Sequence, residues 1–300
     1  MKTLVVGAAM IDILMKIDRL PKSGEDVFSS ETGIVVGGCA YNVATTIRNM
    51  GCAHDLCVPV GKGPYADIIS EELKKCGYDI LIRDESQDNG FTLDLVEASG
   101  ERTFITAQGI EGAFRREWFD GIDMSGYDRI YVAGYQVCSE GGRPTAEWLS
   151  ELTDKQIIFA PGPVICNIDP QVMEQILSTH PILHLNEKEA MDYSKAEEIQ
   201  EAIRVLYGQT GNLVIVTLGA EGTIYYDGQE MHTVPSVKAE VVDTIGAGDS
   251  HIGAVIGGMM RGYDIEESIH YANRVAANMV SVQGPVMSKE IFDEKMGAES

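Results

Sequence analysis

The chain predicts one α/β domain, in which a mostly parallel central sheet is covered by helices on both faces and a small β-sheet lid stands off the core. Three observations lead there. Short β-branched runs alternate with segments of 3.6-residue apolar periodicity, and 300 residues at 44% hydrophobic content can bury one full core. Two further stretches alternate apolar with polar residues in the period-2 manner of half-buried strands.

The expected sheet strands, in order, are Thr3–Gly7, Arg129–Val132, Gln156–Phe159, Ile182–Leu185 and Leu213–Leu218. The helix after Gly37-Gly38 gathers Ala40, Val43, Ala44 and Ile47 on one face and stops at Gly51, a residue suited to the left-handed position beyond a helix. A second helix aligns Ala196, Ile199, Ile203 and Leu206 and is expected to stop at Gly208. A third opens on Asp264-x-x-Glu267, a capping-box variant, and aligns Ile269, Ala272, Ala276 and Met279. The period-2 stretches are Ile11 to Val36 and Phe91 to Thr106, the latter reading as a hairpin around Ser99-Gly100. Strands from two separated places that do not belong to the main sheet can combine into a lid over a binding cleft. No low-complexity tract, long charge run or internal repeat interrupts this single domain of residues 1–300.

Composition narrows the function classes. A formal charge of −23, from 23 basic and 46 acidic side chains, repels phosphate backbones and anionic lipid heads, so neither nucleic acid nor a membrane is an expected partner. No apolar stretch approaches the roughly 20 residues that span a bilayer. The run Thr3 to Ile13 superficially resembles a signal-peptide core, but Asp12 interrupts it, only Lys2 precedes it and no small-residue cleavage site follows. A soluble, cytoplasmic protein is expected. Its six cysteines (Cys39, Cys52, Cys57, Cys76, Cys138 and Cys166) form no C-x-x-C pair and do not cluster with the six histidines, which suits buried free thiols rather than zinc or disulfides.

The most informative stretch is Val241-Val242-Asp243-Thr244-Ile245-Gly246-Ala247-Gly248-Asp249-Ser250, followed by an apolar segment from Ile252 to Met260. Consecutive small residues leave backbone N–H groups uncovered, and at a helix start these form an anion hole aided by the helix dipole. If the anion is a phosphoryl group in transfer, Asp249 stands where the attacking hydroxyl must lie and can accept its proton. The structural alternative is a Gly-rich turn with Asp249 as an ordinary helix cap. In Val36-Gly37-Gly38-Cys39-Ala40-Tyr41-Asn42, the paired glycines permit close approach of a ligand, while Asn42 projects a donor and an acceptor from the first helical turn.

Taken in order, Gly7-x-x-x-x-Asp12, the block Gly37-Gly38-Cys39-Ala40-Tyr41-Asn42-Val43-Ala44, Asn186-Glu187-Lys188-Glu189, Thr217-Leu218-Gly219-Ala220-Glu221-Gly222 and Asp243-Thr244-Ile245-Gly246-Ala247-Gly248-Asp249 resemble the ribokinase/PfkB carbohydrate kinase family nearly end to end. In detail the chain is similar to a bacterial branch of sugar kinases of unassigned substrate. The resemblance implies an ATP-dependent kinase in which Asp249 is the base and the Gly246, Ala247 and Gly248 amides stabilise the phosphoryl group. It assigns Asp12, Gly38 and Asn42 to sugar hydroxyls. Asn186 and Glu189 match the motif that orders Mg²⁺ and its waters around ATP, the alternative being a helix cap with a first-turn acid. Thr217, Gly219 and Gly222 match a loop beside the triphosphate, with Asn273 near the adenine. Family members often hold a monovalent cation such as K⁺ behind the anion hole, and the matching positions are the Asp243 side chain, the carbonyls of Ile245, Met279, Val282 and Gly284, and Ser288. Because the overall charge also repels ATP, local amides and a divalent cation must offset it.

Some positions depart from the family pattern: Cys39 stands where lysine or another polar residue is frequent, Ala160 where an acid is frequent, Gln136 where some relatives carry glutamate, and His251 in place of a common aromatic. These leave the acceptor open while Asp249 and its hole are intact. His251, one turn into an apolar helix, reads as a satisfied core histidine. Two other readings stay open. One is a nucleoside kinase of the same fold, for which Phe104 and Tyr135 could stack on a base, although both read more readily as core. The other is a non-catalytic sugar-sensing protein on the kinase fold. A dinucleotide oxidoreductase is excluded, because the first strand runs into Gly7-Ala8-Ala9-Met10 without G-x-G-x-x-G. Period-2 parity is read as turning Lys16 and Arg102 outward to solvent, which with Cys39 leaves the sugar pocket without a cation and predicts a neutral acceptor. Exposed lid edges suit a homodimer.

Overall fold

A computed structural model describes residues 1–99 and 101–297. In chain order the strands are β1 (Thr3–Val6), β2 (Met10–Ile17), β3 (Glu31–Gly37), β4 (His54–Cys57), β5 (Pro59–Val60), β6 (Ile82–Arg83), β7 (Phe91–Glu97), β8 (Arg102–Ala107), β9 (Arg129–Ala133), β10 (Gln156–Ala160), β11 (Ile182–Asn186), β12 (Val214–Thr217), β13 (Thr223–Tyr226) and β14 (Met231–Val234). The α-helices are α1 (Cys39–Asn49), α2 (Pro64–Lys75), α3 (Gly142–Glu151), α4 (Pro170–Leu177), α5 (Glu187–Ser194), α6 (Ile199–Thr210), α7 (Ala247–Arg261), α8 (Ile265–Met279) and α9 (Lys289–Gly297).

The large sheet has the order β14-β13-β12-β11-β10-β9-β1-β4, parallel from β12 to β4 and closed on the other side by the antiparallel β13 and β14. Its central strands are mostly apolar because both faces are covered. Val5, Tyr131, Ile158, Ile182 and Ile215 point to the layer containing α1, α2, α7, α8 and α9, whereas Leu4, Ile130, Ile157, Leu183 and Val214 point to α3, α4 and α6. The two-residue period thus sorts the side chains into two core layers. The five strands expected from the sequence are present, with ends differing by about a residue.

Helix α1 ends as expected, with Gly51 at φ 70° and its N–H donating to the Arg48 carbonyl, while Cys52 N–H reaches back to Ile47. Helix α8 opens on the expected capping box, Asp264 accepting from Glu267 N–H and Glu267 from Asp264 N–H. Helix α6 differs. It starts at Ile199, beyond Ala196, and runs through Gly208 to Thr210. A glycine inside a helix costs only about 1 kcal/mol, and the stop comes at Gly211, which takes the left-handed conformation. Of the cysteines only Cys57 is buried; Cys166 is exposed and the other four are partly covered, so uniform burial does not hold. Among the described residues no helix is long and apolar enough to cross a membrane.

The second sheet, β3-β2-β7-β8, combines the two period-2 stretches. β7 and β8 form the expected hairpin, although Gly100 of its expected turn lies outside the described residues. The register pairs Asp12 with Thr92 and Thr92 with Thr106, and pairs Lys16 with Val96 and Val96 with Arg102. Lys16 and Arg102 therefore share the face of Asp12, since even offsets along paired strands keep one side. Lys16 remains at the rim in an exposed pair with Glu31. Arg102 does not face solvent: it is turned inward onto Asp94 and Asp243.

Candidate active site

The parallel strands β1, β9, β10, β11 and β12 end along one cleft, and α7 begins there. Gly246 precedes α7 at φ 72°, and a Cβ at this position would overlap the Pro285 carbonyl, so the turn into the helix requires glycine. Among the described residues the Gly246, Gly248 and Asp249 amides donate to no protein acceptor, whereas Ala247 N–H is directed to the Thr244 carbonyl at 3.3 Å. Ala247 is thus less available than expected, and the Asp249 amide joins the free set. Asp249 lies in the first turn of α7, where its Oδ2 accepts from Asn42 Nδ2 at 2.8 Å. Desolvation pushes its pKa up to about 6, against hydrogen bonds from Asn42 and Cys39 that favour the charged form.

On the lid side of Asp249 lies a cavity of about 290 Å³, lined by Asp12, Gly38, Asn42, Gln136, Glu111 and Asp249 among others. Gly38, at φ 97°, brings the backbone so near β1 that a Cβ would stand 2.7 Å from the Ala8 carbonyl. Asp12 accepts no hydrogen bond from the described residues. Burial, reinforced by the charges of Asp94 and Asp249, raises its pKa to about 7. The buried Asn42 Oδ1 and Gln136 Oε1 have no protein partner. Glu111, by contrast, is occupied by the amides of Gly90 and Gly109. Among the described residues no lysine or arginine lines this cavity.

On its other side Asp249 borders a central cavity of about 180 Å³ shared with Asn186, Glu189, Thr217, Gly246 and Gly248. This runs into a cleft of about 550 Å³ lined by Thr217, Gly219, Gly222, Ala247, Gly248 and Asn273, with Val237, Val241, Ala276 and Val280 as apolar walls. Asn186 and Glu189 form the reciprocal capping box of α5: Glu189 N–H donates to Asn186 Oδ1 at 2.8 Å, and Asn186 N–H and Nδ2 donate to the Glu189 carboxylate at 3.0 and 2.8 Å. Both the cap and the cavity-lining role are therefore realised in the same pair. Burial raises the Glu189 pKa, with Asp249 adding to the rise and the Asn186 backbone bond opposing it.

Asn273 lines the large cleft with its polar atoms already engaged. Nδ2 donates to the Val234 and Pro235 carbonyls, and Oδ1 accepts from Thr223 Oγ1 at 2.7 Å and faces His251 Nε2 at 3.1 Å. Nε2 of His251 therefore carries the proton, and its Nδ1 accepts from His184 Nε2 at 3.0 Å. Burial lowers the His251 pKa to about 4, so it is the neutral, satisfied core histidine expected. Asn273 holds β14 against α8 and can offer a nucleotide van der Waals contact only.

Residues 2–291 match the pfkB family carbohydrate kinase. The chain is 34% identical over 285 residues to the uncharacterized sugar kinase YegV of Escherichia coli K12, covering 94% of this chain and 89% of that one. It belongs to the pfkB family of carbohydrate kinases. A crystal structure of ribokinase from Thermotoga maritima superposes with a TM-score of 0.85 at 25% identity, covering 99% of this chain and 98% of that chain. Ribokinase from Arabidopsis thaliana, complexed with ribose and ATP, superposes with a TM-score of 0.78 at 20% identity, covering 98% of each chain.

In this carbohydrate kinase three of the positions matched to a monovalent cation, Asp243, Met279 and Ser288, are already engaged within the protein. The Asp243 carboxylate is spent: Oδ1 accepts from Ile245 N–H at 3.0 Å, and Oδ2 from Gly284 N–H at 3.0 Å and the Arg102 guanidinium at 2.9 Å. The Met279 carbonyl accepts from Val282 N–H, and Ser288 Oγ accepts from Ile291 N–H at the start of α9. A guanidinium carried on the lid thus stands at the carboxylate of the expected cation set.

The sequence reading also missed lining residues. Thr92 and Thr106 face the 290 Å³ cavity from the lid, and their parity with Asp12 is a signal that could have found them. Phe104 and Tyr135 are not core as expected; they are 53% and 37% exposed and border the same cavity. For Glu111 no local pattern gave a signal, because its partners come from a separate turn.

Proposed function

We propose that this carbohydrate kinase transfers the γ-phosphoryl group of ATP to a hydroxyl of a small neutral carbohydrate, with Asp249 as general base. The observation that carries the reading is Asp249's position between a cavity that offers acceptor atoms and one rimmed by free amides. Asp12, Asn42 Oδ1 and Gln136 Oε1 call for hydroxyl donors, and a phosphorylated sugar would meet three carboxylates and no basic side chain there. As the hydroxyl oxygen bonds to phosphorus, the bond to the leaving ADP oxygen breaks and the hydroxyl proton passes to Asp249. The Gly246 and Gly248 amides, joined by that of Asp249, meet the charge on the phosphoryl oxygens, with α7's dipole behind them.

The 550 Å³ cleft suits the nucleotide, its apolar walls taking the base and Thr217, Gly219 and Gly222 the phosphates. Mg²⁺ fits beside Glu189, whose carboxylate lines the central cavity and can hold a hydrated ion through water. When bound, it supplies charge neutralisation to the phosphates. The supply of ATP places the work in the cytoplasm.

A nucleoside acceptor is the second reading, favoured by the exposed rings of Phe104 and Tyr135 at the cavity rim. A second copy of the chain is the partner proposed for the lid face opposite Asp12, where Ile34 and Ile105 are exposed. The test is ADP release across pentoses, hexoses, ketoses, sugar acids and nucleosides, each beside its phosphorylated form. A free sugar should turn over fastest, and Asp249→Asn should lose about 10²–10⁴-fold in rate while still binding nucleotide. Preference for a phosphorylated acceptor, or near-normal turnover in Asp249→Asn, overturns the reading.

A further inference from the structure

We infer that Arg102 is a built-in replacement for a monovalent cation: it positions the anion-hole loop from the lid and makes the enzyme indifferent to K⁺. The inference rests on the anion-hole reading of the Gly246–Asp249 turn. Asp243 begins that turn, and its carboxylate is almost fully buried, with 1% of the side chain exposed. A buried carboxylate needs both hydrogen bonds and a counter-charge. The hydrogen bonds come from Ile245 and Gly284, so Asp243 holds together the approach to the hole and the turn that follows α8. The counter-charge comes from Arg102, whose Nη2 lies 2.9 Å from Asp243 Oδ2 while its Nη1 lies 2.8 Å from Asp94 Oδ2.

The guanidinium is itself well covered, with 19% of the side chain exposed, and it spans two separate elements: Asp94 on β7 of the lid, and Asp243 on the loop into α7. A planar fork with several donors can serve two carboxylates at once, which an ammonium does poorly. A second cation at Asp243 would find Oδ2 already shared by two donors and a positive charge within van der Waals distance. Arg102 and a monovalent cation therefore exclude one another. Arg102 does not line the acceptor cavity, so it acts on the reaction through the loop.

The test uses the full-length protein and Mg·ADP, with K⁺ exchanged for tetramethylammonium at constant ionic strength. Binding is read by calorimetry, and turnover is measured with the acceptor found in the substrate panel. The wild-type protein should give the same nucleotide affinity and the same kcat in both salts. Arg102→Met, which keeps the bulk of the side chain and removes its charge, should lose affinity or kcat in tetramethylammonium. It should regain part of the loss in K⁺ by about fivefold or more, the usual range for two linked ligands. A merely structural ion pair would give a loss that K⁺ does not restore, and that result overturns the inference. So does a several-fold K⁺ activation of the wild-type protein, a measurement that does not depend on how well the variant folds. Absence of Mg·ADP binding by the wild-type protein in either salt would instead overturn the nucleotide reading of the cleft.

Discussion

Asn42 Nδ2 donates to Asp249 Oδ2 at 2.8 Å, joining residues 207 positions apart and tying the first turn of α1 to the first turn of α7. The bond favours the ionised carboxylate, so its removal raises the Asp249 pKa. Asn42→Ala should move the acidic limb of the kcat–pH profile upward. It should also weaken acceptor binding by roughly 1–3 kcal/mol per lost hydrogen bond. An unchanged limb would show that Asn42 does not govern the base.

The wild-type profile carries two acids. As the proposed base, Asp249 must be ionised to accept a proton, so kcat should rise as pH passes through about 6 and level off above it. Asp12 ionises at about 7 and accepts hydroxyl hydrogen bonds best when charged, so kcat/KM should keep rising after kcat has levelled. Rate measurements at saturating and limiting acceptor separate the two.

Stability should respond to Asp249 with the opposite preference. Folding raises its pKa from 3.8 to about 6, so in that window the folded state holds more protons and stability falls as pH rises. The penalty is complete above pH 6 and amounts to at most about 3 kcal/mol. Asp249→Asn should therefore raise Tm above pH 6 and lose that advantage below pH 3.8, as followed by thermal unfolding across pH.

Asp12→Ala removes an acceptor carried on the lid and touches nothing in the nucleotide cleft. Acceptor affinity should fall by about 1–3 kcal/mol per lost hydrogen bond with Mg·ADP affinity unchanged. Calorimetry showing the reverse would misplace the two halves of the site.

Glu189→Gln separates the cap from the ion. Glutamine can still accept from Asn186 N–H but not also from Asn186 Nδ2, so Tm should fall by the equivalent of one lost hydrogen bond, about 1–3 kcal/mol. The Mg²⁺ concentration for half-maximal rate should rise sharply, because the anionic oxygen proposed to order the hydrated ion is gone.

Much of this molecule could be read from its residues. The buried strands announce themselves as β-branched runs, and the paired-glycine block and the Gly246–Asp249 turn each converge on the cleft because their chemistry is written locally. What escaped is non-local. Arg102 has the parity of a lid position, but which surface that face meets depends on Asp243, far along the chain, and no neighbouring residue signals the pair. Asn273 shows the same limit, since only the fold reveals that Thr223, Val234, Pro235 and His251 use up its amide. Gly208 misled for a simpler reason: a helix stop needs a left-handed residue, and glycine alone does not say which conformation it takes.

The carboxylate-lined cavity also bears on how the reaction cycle ends. In the proposed reaction a neutral acceptor enters without electrostatic penalty and leaves carrying two negative charges. Asp12, Glu111 and Asp249 then confront the new phosphate ester, and no basic side chain among the described residues lines the cavity to retain it. The same groups proposed to recognise the sugar by its hydroxyls repel it once it is phosphorylated. Product escape is thereby favoured over rebinding, and accumulated product competes poorly with fresh acceptor.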